Sequence, residues 1–311
     1  METAQEDTFA TLLDGAREQG ITFVDPAPPV DRFCTVDGLR LHYLDWGIAG
    51  NPPLVLVHGR AVTAHTWDFF SLAMRAHFHV YALDQRGHGD SAWAPDGDYR
   101  RERHADDLVA FVDARRLDGM VLVGHSLGGA VSLLAAPRLA GKLRAMVIAD
   151  STLGPRRGPS PVGQFIEGQD VFPSLEAFAA HAHRFNPRRD LTRLLASLRH
   201  NTMQLPDGNW TWKYDKRLRD PRHPSSPPDY PAMWQALRTA PCPVLIVRAG
   251  ERSHINDDLL PEIHSLAPRV ELVTVPDAGH SVMGDNPKGF AAAVTTFLNN
   301  AGAMEQSAGA L

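Results

Sequence analysis

A serine flanked by glycines is the residue of this chain best placed to act as a nucleophile. Ser126 lies in GHSLGG (124–129), between the apolar strand pattern VLV (121–123) and the apolar helix pattern AVSLLAAPRLA (130–140). At such a strand-to-helix turn the serine hydroxyl is exposed above a sheet, and glycines two residues away on either side remove β-carbons that would clash. The first helical amides are then aimed at the negative charge that develops during attack.

A serine hydroxyl is a poor nucleophile until a base removes its proton, so a histidine must lie within hydrogen-bond reach. His280 follows the last apolar strand pattern, in VPDAGHSV (275–282). The carboxyl ends of parallel strands meet at one edge of a sheet, where sites form. We therefore expect His280 at the same edge as Ser126, with Gly279 giving the loop freedom to turn the ring inward.

A third group must orient the imidazole and stabilise its charged form, and two carboxylates preserve the chain order of serine, acid and histidine. Asp150 ends the strand pattern that follows the helix pattern at 130–140, and Glu251 comes after the next strand pattern. We favour Asp150, because its position at the end of a strand suits the orienting role, and keep Glu251 as the alternative acid. Asp257 and Asp277 are weaker candidates.

Short apolar strand patterns alternate with helix patterns over most of the chain. The strand patterns cover 32–36, 39–47, 53–59, 79–84, 120–124, 143–150, 243–250 and 270–276, and the helix patterns cover 8–20, 101–116, 130–140, 256–267 and 286–300. Asp37-Gly38 between the first two strands is a hairpin turn signal. This alternation predicts an α/β fold with a mostly parallel central sheet flanked by helices.

The alternation stops between residues 151 and 240, which are rich in proline, arginine and tryptophan and show helix patterns without a clear buried strand. We predict an N-terminal helical extension at 1–30, a core at 31–152 and 241–300, a helical lid at 153–240 and a flexible tail at 301–311. The lid aromatics offer apolar surface for a covered pocket, although some of them must pack the lid onto the core. Trp210, Trp212 and Trp234 are the candidate substrate contacts.

Composition excludes several classes of protein. The 311 residues carry a formal net charge of −5, which gives no electrostatic case for nucleic acid. No run approaches the ~20 apolar residues that cross a bilayer, and the acidic N-terminus does not resemble a secretory signal, so we expect a cytoplasmic protein without membrane insertion. Two cysteines suit a reducing compartment.

Neither the histidine spacings nor the glycine-rich turns match metal-binding or phosphate-binding motifs, so we predict no metal and no cofactor. The oligomeric state is left open.

The chain resembles the α/β-hydrolase superfamily over roughly residues 30–300. The matching stretches are VHGRAVTAHTW (57–67), ALDQRGHGDS (82–91), VLVGHSLGGA (121–130), PVLIVRAG (243–250) and DAGHSVMGDNP (277–287). Many members carry an aspartate at the place of Ser253. A subset instead has its acid at the end of the strand that follows the helix after the serine, and Asp150 occupies that place here.

The resemblance also places two oxyanion-hole amides, on Arg60 and Leu127. Each such donor is typically worth ~3 kcal/mol in the transition state. Arg60 is unusual, because this position is often apolar or aromatic in the family. Its guanidinium is a candidate either for a substrate carboxylate or carbonyl, or for a salt bridge within the loop.

The resemblance implies a serine hydrolase that cleaves a small-molecule carboxylic ester or lactone through an acyl-enzyme intermediate. A C–C bond hydrolase of diketones uses similar groups, and a non-catalytic ligand receptor has the same fold, so both stay as alternatives. Epoxide hydrolases and haloalkane dehalogenases carry an aspartate where this chain has Ser126, and are disfavoured.

Overall fold

Helices and strands alternate along the chain in a computed structural model that describes residues 2–155, 161–187, 189, 191–220, 227–266 and 268–304. Its helices are α1 (Glu2–Glu18), α2 (Asp68–Met74), α3 (Arg101–Arg115), α4 (Leu127–Ala135), α5 (Pro161–Glu167), α6 (Leu175–His183), α7 (Leu191–Asn201), α8 (Tyr230–Arg238), α9 (Leu260–His264), α10 (Val282–Asp285) and α11 (Pro287–Asn300). Its strands are β1 (Val30–Val36), β2 (Leu39–Asp45), β3 (Pro53–Val57), β4 (His79–Leu83), β5 (Met120–His125), β6 (Leu143–Ala149), β7 (Val171–Phe172), β8 (Thr202–Gln204), β9 (Trp210–Trp212), β10 (Val244–Ala249) and β11 (Val270–Val275). Across these residues we find no helix of the length and apolarity that a membrane span requires.

Within the described residues, eight strands form one sheet in the order β1-β2-β4-β3-β5-β6-β10-β11. The first two strands pair antiparallel across the turn at Asp37-Gly38, and β2 pairs antiparallel with β4. The remaining neighbours are parallel, which confirms the predicted mostly parallel sheet. Because parallel strands end at a common edge, the loops after β5, β6, β10 and β11 all lie at that edge.

Apolar side chains cover both faces of the sheet. Along β3, Val55 and Val57 face one layer of helices, whereas Leu54 and Leu56 face the other, and all four are fully buried. The first layer contains α3, α4, α8 and α9, and the second contains α1, α2 and α11. Burial of each such side chain is worth about 1.5–3 kcal/mol, so the two layers hold the strand ends rigidly in place.

The segment between β6 and β10 contains more than helices. The strands β7, β9 and β8 form a small antiparallel sheet, so the segment predicted to be helical also contains strands. These strands have only two or three residues each, too few for an alternating pattern to be recognised. The segment has its own apolar cluster, in which Phe178, Leu198, Trp212 and Tyr214 are buried.

The described residues near both ends of the chain pack against the core more closely than the sequence suggests. The first helix begins at Glu2 instead of near residue 8, and Ala16 on it is fully buried. Of the predicted tail, residues 305–311 lie outside the described residues. In its described part Ala303 is fully buried, and its amide donates to the carbonyl of Leu298 over 2.8 Å.

A buried carboxylate, Asp84, ties β2 to the loops at the carboxyl edge of the sheet. Its Oδ2 accepts from Nδ1 of His42 at 2.7 Å, and its Oδ1 accepts from the amide of Ala64 at 2.7 Å. Nε2 of His42 lies 2.9 Å from Oδ1 of Asp31. Burial alone would lower the pKa of His42, but the hydrogen bonds to Asp31 and Asp84 outweigh it and raise that pKa to about 9.

We expect this histidine to make folding stability depend on pH. Because its pKa is raised above 6.5 in the folded state, protonated His42 contributes stability that is complete below pH 6.5 and is lost as the pH rises through about 9. The contribution of protonated His42 to the unfolding free energy is on the order of 2 kcal/mol. It is smaller than the full pKa shift implies, because Asp31 is exposed and water screens its charge. Urea unfolding at pH 6 and pH 9.5 should show a larger loss of unfolding free energy in the wild type than in His42→Gln. Equal losses would contradict the assignment.

Candidate active site

Ser126 lies between the last residue of β5 and the first residue of α4. Its backbone has φ 52° and ψ −113°, a strained conformation of the kind that costs a non-glycine residue about 1–3 kcal/mol. A β-carbon on Gly124 would clash with the carbonyl of Gly128, and one on Gly128 would clash with the carbonyl of Val57. The strand-to-helix turn predicted from the sequence is present, and both glycines are required for it.

Ser126, His280 and Asp150 are linked by one chain of hydrogen bonds. The Oγ of Ser126 lies 3.0 Å from Nε2 of His280, and Nδ1 of His280 lies 2.8 Å from Oδ2 of Asp150. The His280 side chain is 10% exposed, whereas Asp150 is fully buried. In this arrangement the serine hydroxyl donates to the imidazole and the imidazole N–H donates to the carboxylate, which is the geometry of general base catalysis by a histidine.

Three further donors surround the carboxylate of Asp150. Its Oδ1 accepts from the hydroxyl of Ser253 at 2.5 Å and from the amide of Ala249 at 3.1 Å, and its Oδ2 accepts from the amide of His254 at 3.0 Å. Burial alone would raise the pKa of Asp150, but the hydrogen bonds from His280, Ser253 and the His254 amide outweigh it and lower that pKa to about 2. Asp150 is therefore charged at neutral pH and holds the imidazole in one tautomer.

The alternative acid, Glu251, lies on the exposed surface, and its amide donates to the carbonyl of Ala278 at 2.9 Å. The Nδ1 atom of His280 is engaged by Asp150 instead. Ser253, where many members of the superfamily carry an aspartate, donates to Asp150. From the sequence, Ser253 marks only the absence of an aspartate, because its donation to the Asp150 carboxylate depends on which strands are neighbours.

Two histidines that the sequence did not assign to the site pack against His280. The ring of His254 stacks on it with centroids 3.4 Å apart and planes inclined by 22°. The ring of His125 lies 4.7 Å away, and its Nε2 donates to the backbone carbonyl of His280 at 2.8 Å. Burial lowers the pKa of His125 to about 3, so it stays neutral and acts as a brace for the His280 loop.

The loop after β3 passes directly beside the serine. A β-carbon on Gly59 would lie 3.2 Å from Cβ of Ser126. The buried His58 donates from Nδ1 to the carbonyl of Gly59 at 2.6 Å and accepts the amide of Gln85 on Nε2 at 3.0 Å. These bonds fix the Gly59 carbonyl toward His58. Leu127 begins α4, where an amide has no partner inside its helix.

The side chain of Arg60 reaches toward the inserted segment. Its Nη2 lies 3.3 Å from Oε1 of Glu167 at the end of α5, with the two side chains 38% and 65% exposed. Of the roles considered for Arg60, the structure shows a salt bridge, formed with α5 and not within its own loop. An exposed pair of this kind contributes about 0–1 kcal/mol. The oxyanion role of the Arg60 amide stays a prediction.

The three tryptophans chosen as substrate contacts occupy different environments. Trp212 is buried with its ring centroid 4.7 Å from that of Phe178, and Trp210 is half-buried on the same strand. Trp234 is buried in α8, and its Nε1 donates to the carbonyl of Leu153 at 2.8 Å. Trp212 and Trp234 therefore pack the inserted segment and its junction with the core, and their contact with a substrate stays a prediction.

Comparison with known proteins gives a consistent result over most of the chain. Residues 54–293 match the model of the alpha/beta hydrolase family. The chain is 30% identical over 293 residues to the esterase Rv0045c of Mycobacterium tuberculosis, which covers 91% of this chain and 92% of the esterase. It is also 30% identical to the N-formylmaleamate deformylase of Pseudomonas putida, over 86% of this chain and 95% of the deformylase.

Solved structures agree with these relatives. The crystal structure of the M. tuberculosis esterase superposes with a TM-score of 0.74 at 25% identity, covering 94% of this chain and 98% of that one. An alpha/beta hydrolase from Novosphingobium aromaticivorans gives a TM-score of 0.74 at 27% identity, covering 88% and 99%. The chain therefore belongs to the alpha/beta hydrolase family, as its resemblance predicted, and it is a hydrolase.

Proposed function

We propose that this hydrolase cleaves carboxylic esters or lactones through an acyl-enzyme intermediate on Ser126. The observation that carries the proposal is the continuous hydrogen-bond chain from Ser126 through His280 to Asp150, with distances of 3.0 Å and 2.8 Å. The similarity to the M. tuberculosis esterase supports an ester as the substrate class. The buried and charged Asp150 supports catalysis near neutral pH.

In the first half-reaction, Oγ of Ser126 attacks the carbonyl carbon while Nε2 of His280 takes its proton. The oxyanion that forms accepts hydrogen bonds from the amides of Arg60 and Leu127, each worth about 3 kcal/mol in the transition state. Asp150 stabilises the imidazolium across the 2.8 Å hydrogen bond. When the intermediate collapses, the C–O bond of the leaving group breaks and His280 gives its proton to the departing alcohol.

In the second half-reaction, a water molecule occupies the place of the alcohol. His280 takes a proton from this water, which attacks the acyl carbon and forms a second oxyanion. Collapse then breaks the bond between the acyl carbon and Oγ, and the proton returns to Ser126. The products are a carboxylic acid and an alcohol, or a hydroxy acid when the substrate is a lactone.

We further infer that the inserted segment acts as a lid over this site. The carboxamide oxygen of Asn201 accepts from the amide of Thr63 at 2.9 Å, which joins the end of α7 to the loop after β3. The carbonyl of Lys213 accepts from the amide of Gly89 at 2.9 Å, which joins the segment to the loop after β4. Since both loops lie at the edge of the sheet that carries Ser126, the segment is placed to set the size of the substrate.

A second candidate function is hydrolysis of an N-formyl or related amide, favoured by the similarity to N-formylmaleamate deformylase. The acyl transfer is the same, but the leaving amine depends more strongly on proton donation from His280. Comparison of kcat/KM for short esters, lactones and N-formyl amides separates the two candidates. A higher kcat/KM for the N-formyl amides would replace the ester proposal.

A fluorophosphonate probe tests the nucleophile directly. We expect the folded wild type to form a phosphonylated peptide that contains Ser126, because only a base-activated serine attacks phosphorus rapidly. Ser126→Ala should give no labelled peptide, whereas Ser265→Ala, which removes an exposed hydroxyl outside the site, should be labelled like the wild type. A folded wild type that is not labelled at Ser126 would rule out the serine mechanism.

A further inference from the structure

A cavity of about 540 Å³ lies between α1, α2 and α7. Its wall includes Leu12 of α1, Phe69 of α2 and Ala196 of α7. The cavity therefore lies between the core and the inserted segment. Ser126 and His280 are not among its lining residues. A ligand in this cavity would therefore not contact the proposed catalytic residues.

Three side chains with metal-ligating atoms meet on the wall of this cavity. His65 and Asp68 lie one turn apart, in a short 3-10 helix (Ala64–Trp67) and at the start of α2, and His200 lies in the last turn of α7. One ring nitrogen from each histidine and one carboxylate oxygen all lie within 4.8 Å of one another. The two imidazole rings stack with centroids 3.6 Å apart.

Asp68 offers this cluster a buried carboxylate oxygen that no donor among the described residues satisfies. Asp68 is 9% exposed; its Oδ2 lies 2.9 Å from Nδ1 of His65, and its Oδ1 is buried with no hydrogen-bond partner among the described residues. A buried carboxylate oxygen without a donor is costly, which favours a cation beside it.

We propose that His65, Asp68 and His200 bind a divalent transition metal ion of the zinc class, which cross-links the inserted segment to the core. Two imidazoles and one carboxylate form a common zinc ligand set, with water completing the tetrahedron. Ligand distances of about 2.0–2.2 Å place the ligand atoms of a tetrahedral site about 3.3 Å apart. The three donor atoms all lie within 4.8 Å of one another, so small side-chain movements bring them to that spacing.

The arginines on the same wall do not oppose a cation at this cluster. The Nε of Arg189 donates to Asp285 at 2.8 Å, and a guanidinium nitrogen of Arg193 donates to the carbonyl of Gly284 at 2.8 Å. Arg199 is exposed, where water and salt screen its charge. Asp14, Glu18 and Asp31 also line the cavity and add negative potential.

An ion at this cluster would hold α7 against the loop that carries Arg60. The hydrogen bond from the Thr63 amide to Asn201 already joins the two elements next to the cluster. A metal adds a second and much stronger connection that exists only in the folded protein, so binding should raise the thermal stability. No sequence motif points to this site, because His65 and His200 are far apart along the chain and only the fold brings them together.

Calorimetric titration of ZnCl2 into the EDTA-treated full-length protein tests the proposal. We expect one equivalent to bind the wild type and to raise its melting temperature. His200→Gln and Asp68→Asn should each weaken binding by at least tenfold, because each removes one of three protein ligands. His264→Gln removes an exposed histidine of α9 and should bind like the wild type. Cobalt absorption in the visible range should show tetrahedral coordination that His200→Gln abolishes.

Several results would overturn the site. One is a wild type that binds no zinc; another is unchanged affinity in both His200→Gln and Asp68→Asn. A loss of binding confined to His254→Gln would place the ion at Asp150, His254 and His280, whose ligating atoms also lie within 4.8 Å of one another. Melting curves in EDTA establish that each variant is folded. The readout is metal binding, so the result is independent of whether Ser126 is the nucleophile.

Discussion

Replacement of Ser126 by alanine is expected to lower kcat for ester hydrolysis by roughly a millionfold. Without Oγ no acyl-enzyme forms, and His280 loses the group from which it takes a proton across 3.0 Å. Loss of the nucleophile therefore removes the contribution of His280 and Asp150 as well, because the three groups act as one unit. Residual catalysis would come from the amides of Arg60 and Leu127, which still polarise a bound carbonyl.

The measurement is the initial rate of hydrolysis of a p-nitrophenyl ester by the full-length variant. Alanine removes only the hydroxyl and leaves the backbone at Gly124 and Gly128 unchanged, so the melting temperature should stay close to that of the wild type. Ser265→Ala serves as the matched control and should keep wild-type kcat. A Ser126→Ala protein that retains a tenth of the wild-type rate would show that another group carries the reaction.

The positions of Ser126 and His280 were predictable because their signals are local. A serine between two glycines at a strand-to-helix turn is specified by sterics within one pentapeptide, and the clashes that β-carbons at Gly124 and Gly128 would meet account for it. His280 was located by its place after the last strand, since parallel strands deliver their following loops to one edge. The central sheet followed from the same alternation of strands and helices.

The surroundings of the site were not predictable from spacing. Ser253, His254 and His125 contact Asp150 or His280 only because β5, β6, β10 and β11 are neighbours in the sheet. The small sheet of the inserted segment was missed because its strands are shorter than the periodicity that reveals a strand. In each case the contacts that form the structure join residues distant along the chain. A single sequence does not show which distant residues pair with one another.

The contact between Asp150 and His280 follows from the order of the strands. Because β6 lies between β5 and β10, a carboxylate at its end stands beside the serine strand and still reaches the histidine loop that follows β11. The loop after β10 then carries donors instead of the acid, namely the hydroxyl of Ser253 and the amide of His254. A carboxylate on β6 and one in the loop after β10 are thus two solutions to the same requirement, a charged acceptor for Nδ1 of His280.

Replacement of Asp150 by asparagine is expected to lower kcat by about 10⁴-fold, because an amide no longer stabilises the imidazolium or selects its tautomer. Glu251→Gln should keep kcat within a few fold of the wild type, since Nδ1 of His280 is engaged by Asp150. Because the pKa of Asp150 is lowered to about 2, its carboxylate stays charged over the whole range of an ordinary assay, and the defect of Asp150→Asn should persist at every pH from 5 to 9.

A second substitution in the Asp150→Asn background tests whether the loop after β10 can supply the acid. Ser253→Asp places a carboxylate at the residue whose Oγ now lies 2.5 Å from Asp150, close enough for a longer side chain to approach His280. We expect the double variant to recover at least tenfold in kcat over Asp150→Asn, whereas Ser253→Ala in the same background should recover nothing. The assay is ester turnover under saturating substrate, with melting curves to show that both variants fold. If Glu251→Gln alone abolished turnover while Asp150→Asn did not, the acid would be Glu251 and the assignment of Asp150 would be wrong.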